Sequence, residues 1–216
     1  MSHIILGVTG SVAAVRTPDL YAALRAQGHP VRVVATEPAL DFFNAADLEP
    51  GDPDVGGPLF RDDDEWPGAR YRRGDPVLHI AFRDWADLLV LAPLDANTLG
   101  KFALGLSDNF LSCLLRAWDF RKPVILAPAM NTLMWDSPVT MRHLRQLLAD
   151  RGDGRADEVW TLAEAAEVFA RRAPGLVLIP PQCKRLACGD VGIGAMAEVA
   201  AIAEVVRRWT ADPANP

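Results

Sequence analysis

Cysteine is scarce in this chain. Its 216 residues hold only Cys113, Cys183 and Cys188. The count is odd and no Cys-x-x-Cys pair occurs, which argues against a disulfide framework or a structural zinc site and for a reducing, cytoplasmic setting. Long apolar runs are missing too: none approaches the roughly 20 residues that a membrane span needs. A basic n-region and a cleavable apolar segment are absent from the start, where Met1-Ser-His3 leads directly into strand-like text. No cluster of Lys and Arg offsets the formal net charge of −6, which argues against nucleic acid as a partner. No Gly-Lys-Ser/Thr element occurs, so a Walker-type phosphate loop is excluded.

What is present has the pattern of an α/β protein. Half of the residues are hydrophobic and 23% are charged, the balance of a globular domain. The length suits one domain with a proper core and is short for two. Ile4 to Val8 reads as a first strand. Thr9-Gly10-Ser11 follows it, then helical text to Gly28 with an interruption near Pro18. Strand, Gly-Ser turn and helix is the arrangement that aims backbone N–H groups at a phosphate. Only Gly7 and Gly10 of a dinucleotide fingerprint are there, so the turn equally suits plain chain reversal. Val31 to Ala35 is a second strand, and Thr36 at its end either caps the next helix or meets a ligand. Residues 49–76, rich in Gly, Pro and Asp, read as a long surface excursion.

Three further strands are predicted: Trp85 to Pro93, Val124 to Ala127 with Pro128 ending it, and Leu176 to Ile179. Helices are expected over Ser107 to Trp118, with Cys113 in the core, and after Trp135 to about Asp150. Others follow the capping box Thr161-x-x-Glu164, and run up to about Trp209. The alternation predicts a parallel, doubly wound α/β sheet, Rossmann-like or flavodoxin-like, with helices on both faces and right-handed crossovers.

Candidate ligand-binding residues fall at the strand ends. Ala92-Pro93 leads into Leu94-Asp-Ala-Asn-Thr-Leu-Gly-Lys101, whose small and amide residues suit either a flat polar ring or an ordinary helix start. Ala127-Pro128 leads into Ala129, Met130 and Asn131. An amide there sits where open α/β sheets bind ligands, or serves as an N-cap. His79 stands alone after Asp75-Pro-Val-Leu and reads as structural or catalytic. Residues 180–196 read as a flexible flap, because Gly189, Gly192 and Gly194 lie close together beside the Cys188 thiol.

Taken in order, Val8-Thr-Gly-Ser11, Asp75-Pro-Val-Leu-His79, Ala92 to Lys101, Pro128-Ala-Met-Asn-Thr-Leu-Met-Trp135 and Lys184 to Met196 resemble the homo-oligomeric flavin-containing cysteine decarboxylases over nearly the whole chain. The resemblance implies FMN at the carboxyl edge of the sheet, with Gly10, Ser11 and Thr36 serving the phosphate and Ala96, Asn97, Thr98 and Ala129 the rest of the cofactor. It implies His79 as the active-site base, Asn131 as ligand of the substrate carboxylate, and Arg185, Ala187 and Met196 as further substrate contacts. Cys188 would be the proton donor on a flap that closes over substrate. It also implies trimers, or multiples of them, with active sites between subunits, and no metal. Residues from about 152 to 173 depart from the pattern and read as a helical insertion.

The chemistry is coherent. A cysteinyl carboxylate resists decarboxylation because the carbanion left at Cα has no electron sink, and oxidation of the side chain to a thioaldehyde creates one. Three functions remain open at this level. One is a decarboxylase of a small cysteinyl substrate of coenzyme A biosynthesis. Another is a decarboxylase of the C-terminal cysteine of a precursor peptide, which would stop at the enethiol. The third is a non-catalytic flavin-binding regulator.

Overall fold

The computed structural model describes residues 1–48, 57–65, 73–75, 77–153, 159–185, 189 and 191–211. Six strands, β1 (Ile4–Val8), β2 (Val31–Ala35), β3 (Leu59–Phe60), β4 (Leu88–Leu94), β5 (Val124–Pro128) and β6 (Leu176–Leu178), form one sheet. They lie in the order β3-β2-β1-β4-β5-β6, and every pairing is parallel. The winding direction reverses between β1 and β4, which makes the carboxyl ends of those two strands the edge where a ligand crevice opens.

Both faces of the sheet are covered, and this explains the near-continuous apolar strand sequences. Ile5, Leu89, Leu91, Val124 and Leu126 belong to one core cluster. Ile4, Leu6, Val8, Val90, Ala92, Ile125 and Ala127 belong to the other, so alternate residues of each strand serve opposite layers. The helices are α1 (Thr17–Ala26), α2 (Asp62–Glu65), α3 (Leu78–Trp85), α4 (Ala96–Leu104), α5 (Phe110–Ala117), α6 (Thr132–Trp135), α7 (Pro138–Arg151), α8 (Ala165–Arg172) and α9 (Val199–Ala211). α1 and α9 cover one face through Leu20, Leu24, Ile202 and Val206. α3, α4, α5, α7 and α8 cover the other, through Phe82, Leu99, Phe110, Leu144 and Phe169 among others. No described helix is long and apolar enough to cross a membrane.

Several local expectations change. Val12–Arg16 is a 3-10 turn, and α1 starts only at Thr17, so Pro18 lies in a first turn, where its missing N–H is no loss. Trp85 ends α3 and does not begin a strand; Ala86 and Asp87 link α3 to β4. Within the expected excursion, Leu59–Phe60 adds an edge strand to β2, and Asp62–Glu65 is a helix turn with Glu65 buried. Cys113 is half-exposed on α5 and outside the core; burial pushes its thiol up, helped by the Glu65, Asp108 and Asp62 carboxylates. The capping box at Thr161 and Glu164 is present, but the helix behind it is no appendage: Ala165, Val168 and Phe169 of α8 belong to the main core, directly before β6.

A second, two-stranded antiparallel sheet pairs β7 (Gln182–Arg185) with β8 (Val191–Ala195). It lies in the 180–196 segment read as a flap, and two of its glycines allow close packing. A Cβ at Gly194 would lie 2.1 Å from the Met130 carbonyl oxygen, and one at Gly192 would lie 2.3 Å from Thr132 Oγ1. The glycines are what lets the hairpin press against the β5–α6 connection, where Met130 N donates to Gly194 O at 2.9 Å. Gly189, with φ 93°, needs the left-handed region, and Gly194, with φ 159°, lies at its edge.

The reversal point is held by Thr9. Its hydroxyl donates to Pro93 O at 2.8 Å and accepts from Asp95 N at 2.7 Å, and all of it is buried. Replacing Thr9 by Val keeps the shape and leaves a buried donor without its acceptor. Thr9→Val is expected to lower unfolding free energy by about 1–3 kcal/mol, read from the midpoint shift in urea at an unchanged denaturant slope.

Candidate active site

The carboxyl edge of the sheet carries a pocket of about 410 Å³. Its floor comes from the residues just beyond β1 and β5: Ser11, Val12 and Ala13 on one side, Ala129, Met130 and Asn131 on the other. The hairpin and the start of α9 close it with Lys184, Arg185, Gly194, Met196 and Val199. Much of this lining is apolar, while Arg16, Lys184 and Arg185 supply positive charge. Lys184 is hydrogen-bonded to Glu198, and that bond holds the Glu198 carboxyl below the usual carboxylate range. Arg16 is paired with Asp19 at 3.1 Å. With three cationic side chains against the Glu198 and Asp19 carboxylates, the mouth keeps a net positive charge and favours an anionic ligand in a protein whose net charge is −6.

Local structure explains each placement. Ser11 caps the 3-10 turn through Ala13 N at 3.4 Å, so its hydroxyl faces the crevice. Ala129 N donates to Leu94 O at 2.9 Å, tying the ends of β4 and β5 together. Asn131 is the N-cap of α6, its Oδ1 accepting from Leu133 N at 2.8 Å, and it lines the pocket as well. Met196 is 8% exposed and lines the pocket, and Arg185 stands on its rim at the end of β7.

Other expected residues lie around the pocket without lining it. A Cβ at Gly10 would meet Pro38 Cβ at 2.7 Å and Asp95 Oδ2 at 3.6 Å, so this glycine lets the β1 loop nest between its neighbours. Thr36 is buried at the end of β2 and does not cap the following turn with its side chain. Ala96, Asn97 and Thr98 form the first turn of α4. Asn97 is exposed, and Thr98 N donates to the N-cap Asp95 at 2.7 Å. Ala187 and Cys188 lie outside the described residues.

His79 is not among the pocket residues. It sits in the first turn of α3 with its ring 19% exposed, and it meets the 1% exposed carboxylate of Glu65. Nδ1 lies 2.5 Å from Glu65 Oε1, and the His79 backbone N–H donates to Oε2 at 3.0 Å. Sequence reasoning missed Glu65, Thr9 and Asp95. The acidic run Asp62-Asp63-Asp64-Glu65 was the one available signal for the first, inside a stretch without periodicity.

The model of the flavoprotein family matches residues 1–211. The phosphopantothenoylcysteine decarboxylase of Arabidopsis thaliana is 46% identical over 95% of this chain and 83% of its own length. The chain belongs to the flavoprotein family, among the phosphopantothenoylcysteine decarboxylases. Two solved structures agree with that placement. A phosphopantothenoylcysteine decarboxylase mutant complexed with pantothenoylaminoethenethiol superposes with a TM-score of 0.77 at 42% identity, covering 98% of this chain and 99% of that one. The FMN-binding protein AtHal3 superposes with a TM-score of 0.75 at 43% identity, over 98% of each chain.

For this family member, the hairpin contact offers a direct test of the pocket. A methyl group at Gly194 must push the Met130 carbonyl away, and with it the wall that carries Arg185 and Met196. Gly194→Ala is expected to loosen the hairpin and weaken pocket occupancy at least tenfold, while the sheet keeps its cooperative unfolding. Ligand titration together with limited proteolysis between residues 182 and 195 reads both effects.

Proposed function

We propose that this chain is an FMN-dependent decarboxylase of a cysteinyl carboxylate, acting on phosphopantothenoylcysteine in coenzyme A biosynthesis. The observation that carries the reading is the pocket itself. It opens at the reversal point of a doubly wound sheet, has an apolar wall and a cationic mouth, and presents Asn131 at its base. Its volume lies within the roughly 300–1,000 Å³ of small-molecule and cofactor sites. A flat apolar ring bearing one phosphate fits that lining. Gly10, Ser11 and Thr36 would hold the phosphate, and Ala96, Asn97, Thr98 and Ala129 the remainder; of these, Ser11 and Ala129 line the pocket itself. The relatives support the same reading, since one is an FMN-binding protein by name and others are phosphopantothenoylcysteine decarboxylases by name.

FMN, when bound, supplies a two-electron acceptor that can take and return a hydride. The chain's residues do the rest. Asn131 orients the substrate carboxylate through a neutral amide, which does not over-stabilise the negative charge that must leave as CO2. His79 accepts the thiol proton as the substrate's side chain is oxidised. The carboxylate then stands β to a C=S group and departs, leaving an enethiolate. Cys188 delivers the proton that completes the reduced product, and Arg185, Ala187 and Met196 contact the rest of the substrate. The solved relative bearing a cysteine-to-serine mutation is complexed with an aminoethenethiol, the kind of species expected to accumulate when this last proton is withheld.

Because His79 does not line the chain's own pocket, the reading includes a closed homo-oligomer, a trimer or a multiple of trimers, in which His79 serves a neighbour's pocket. A cytoplasmic location goes with the odd cysteine count and with the substrate.

The test is to load purified protein with FMN, add phosphopantothenoylcysteine and follow loss of CO2 by mass. Conversion is expected in the parent. In His79→Asn, whose amide cannot act as a base, the rate should fall by roughly 10²–10⁴ with flavin still bound. A parent that leaves the substrate intact sinks the function, and a variant at the parent's rate sinks His79 as base.

Cys188→Ser separates the two halves of the reaction. A hydroxyl is a far weaker acid than a thiol, whose unperturbed pKa is roughly 8.5. The variant is expected to release a decarboxylated enethiol, lighter than the normal product by two hydrogens, and to leave its flavin reduced. Release of that lighter product by the parent as well moves the peptide-cysteine reaction ahead.

A further inference from the structure

His79 and Glu65 form a largely buried titratable pair on α3 and α2. Among the described residues, both bonds of the Glu65 carboxylate go to His79, one to the ring and one to the backbone. Its side chain is 1% exposed, whereas the ring keeps 19% of its surface. α2 is itself anchored, since Asp62 Oδ1 accepts from Phe110 N of α5 at 3.0 Å. The carboxylate is therefore fixed in the fold, and the imidazole is hung from it.

We infer that Glu65 is a positioning residue for His79, holding the neutral ring in the tautomer with its proton on Nδ1 so that Nε2 is the atom that accepts the substrate's proton. The inference rests on the decarboxylase reading, in which His79 is the base. An ionised carboxylate only accepts hydrogen bonds, so the nitrogen facing it must carry the hydrogen. The lone pair is then on Nε2. As the substrate S–H bond breaks, its electron pair stays on sulfur and the proton forms an Nε2–H bond. The imidazolium so formed lies against a buried negative charge that stabilises it. The second bond, from the His79 backbone, fixes the start of α3 relative to Glu65 and so fixes where Nε2 points. A carboxylate in this relation to a catalytic histidine serves the same purpose in protease triads, where replacing it by an amide puts the ring in the wrong tautomer.

Glu65→Gln is the test, made in the FMN-loaded protein. A glutamine has one oxygen, so it cannot accept from both the ring and the backbone. With that oxygen on the backbone N–H, the amide nitrogen faces Nδ1 and drives the proton to Nε2, the atom that must be free. The expected result is a fall in kcat of about 10²–10⁴, with KM, FMN content and melting temperature close to the parent's. Nitrogen NMR of histidine-labelled holoenzyme, with the His79 signal identified by its loss in His79→Asn, should show an Nδ1-protonated ring in the parent and an Nε2-protonated ring in Glu65→Gln. A parent ring protonated on Nε2, or a variant at the parent's kcat, overturns the inference. The parent spectrum needs no substrate, and the one variant it uses is His79→Asn, for the assignment. A protein with the expected tautomer that decarboxylates no cysteinyl substrate therefore sinks the functional reading alone, and an active decarboxylase with the opposite tautomer sinks only the role of Glu65.

Discussion

A short series of hydrogen bonds runs along the carboxyl edge of the sheet, and the pocket depends on it. It starts at the buried hydroxyl of Thr9, which joins the end of β1 to Pro93 and Asp95 beyond the core of β4. Leu94 O then accepts from Ala129 N, which adds the end of β5, and Met130 N donates to Gly194 O, which adds the hairpin. Three strand ends and the flap are thereby held at fixed separations by main-chain groups. The Thr9 hydroxyl bond to Pro93 O is buried and its bond from Asp95 N part-buried, so a missing partner here costs more than at an exposed site. Ser11, Ala129 and Asn131, which line the pocket, are the immediate neighbours of this ladder.

Charge is arranged against the average of the molecule. The chain is acidic overall, yet the pocket mouth gathers Arg16, Lys184 and Arg185 against two carboxylates, Glu198 and Asp19. Such a mouth attracts an anion and adds nothing to folding that an apolar surface would not. On the opposite layer of the sheet, the organised titratable pair is Glu65 and His79, anchored through α2 and α3. In the proposed reaction, anion binding and proton transfer fall to separate regions of one chain. A closed oligomer that brings one copy's α3 to the next copy's pocket unites them in the proposed reaction.

Glycine deserves two different readings in this fold. At Gly189 it supplies a left-handed turn. At Gly192 and Gly194 the absence of a side chain allows backbone to meet Thr132 and Met130 more closely than any Cβ would permit. In sequence the clustered glycines read as flexibility; in the fold, two of the three let the hairpin lie against the β5–α6 connection.

Sequence by itself determined the class of fold and most of its strands. Parallel strands covered on both faces are apolar at nearly every position, so Ile4–Val8, Val31–Ala35 (with Arg32 as its one charged residue) and Val124–Pro128 are recognisable without any tertiary information. It also marked Ser11, Ala129 and Asn131, because strand ends followed by small or amide residues are local features. The tertiary structure alone decided the rest. Leu59–Phe60 is too short to show a period and becomes a strand only by pairing with Val33 and Val34. Trp85 is apolar beside an apolar strand, and only the helical hydrogen bonds of α3 assign it there. Thr9 and Asp95 are 86 residues apart, and Glu65 and His79 are 14 apart across a segment without pattern. A hydrogen bond between side chain and distant backbone leaves no periodic trace in sequence, because its geometry is set by how the layers pack.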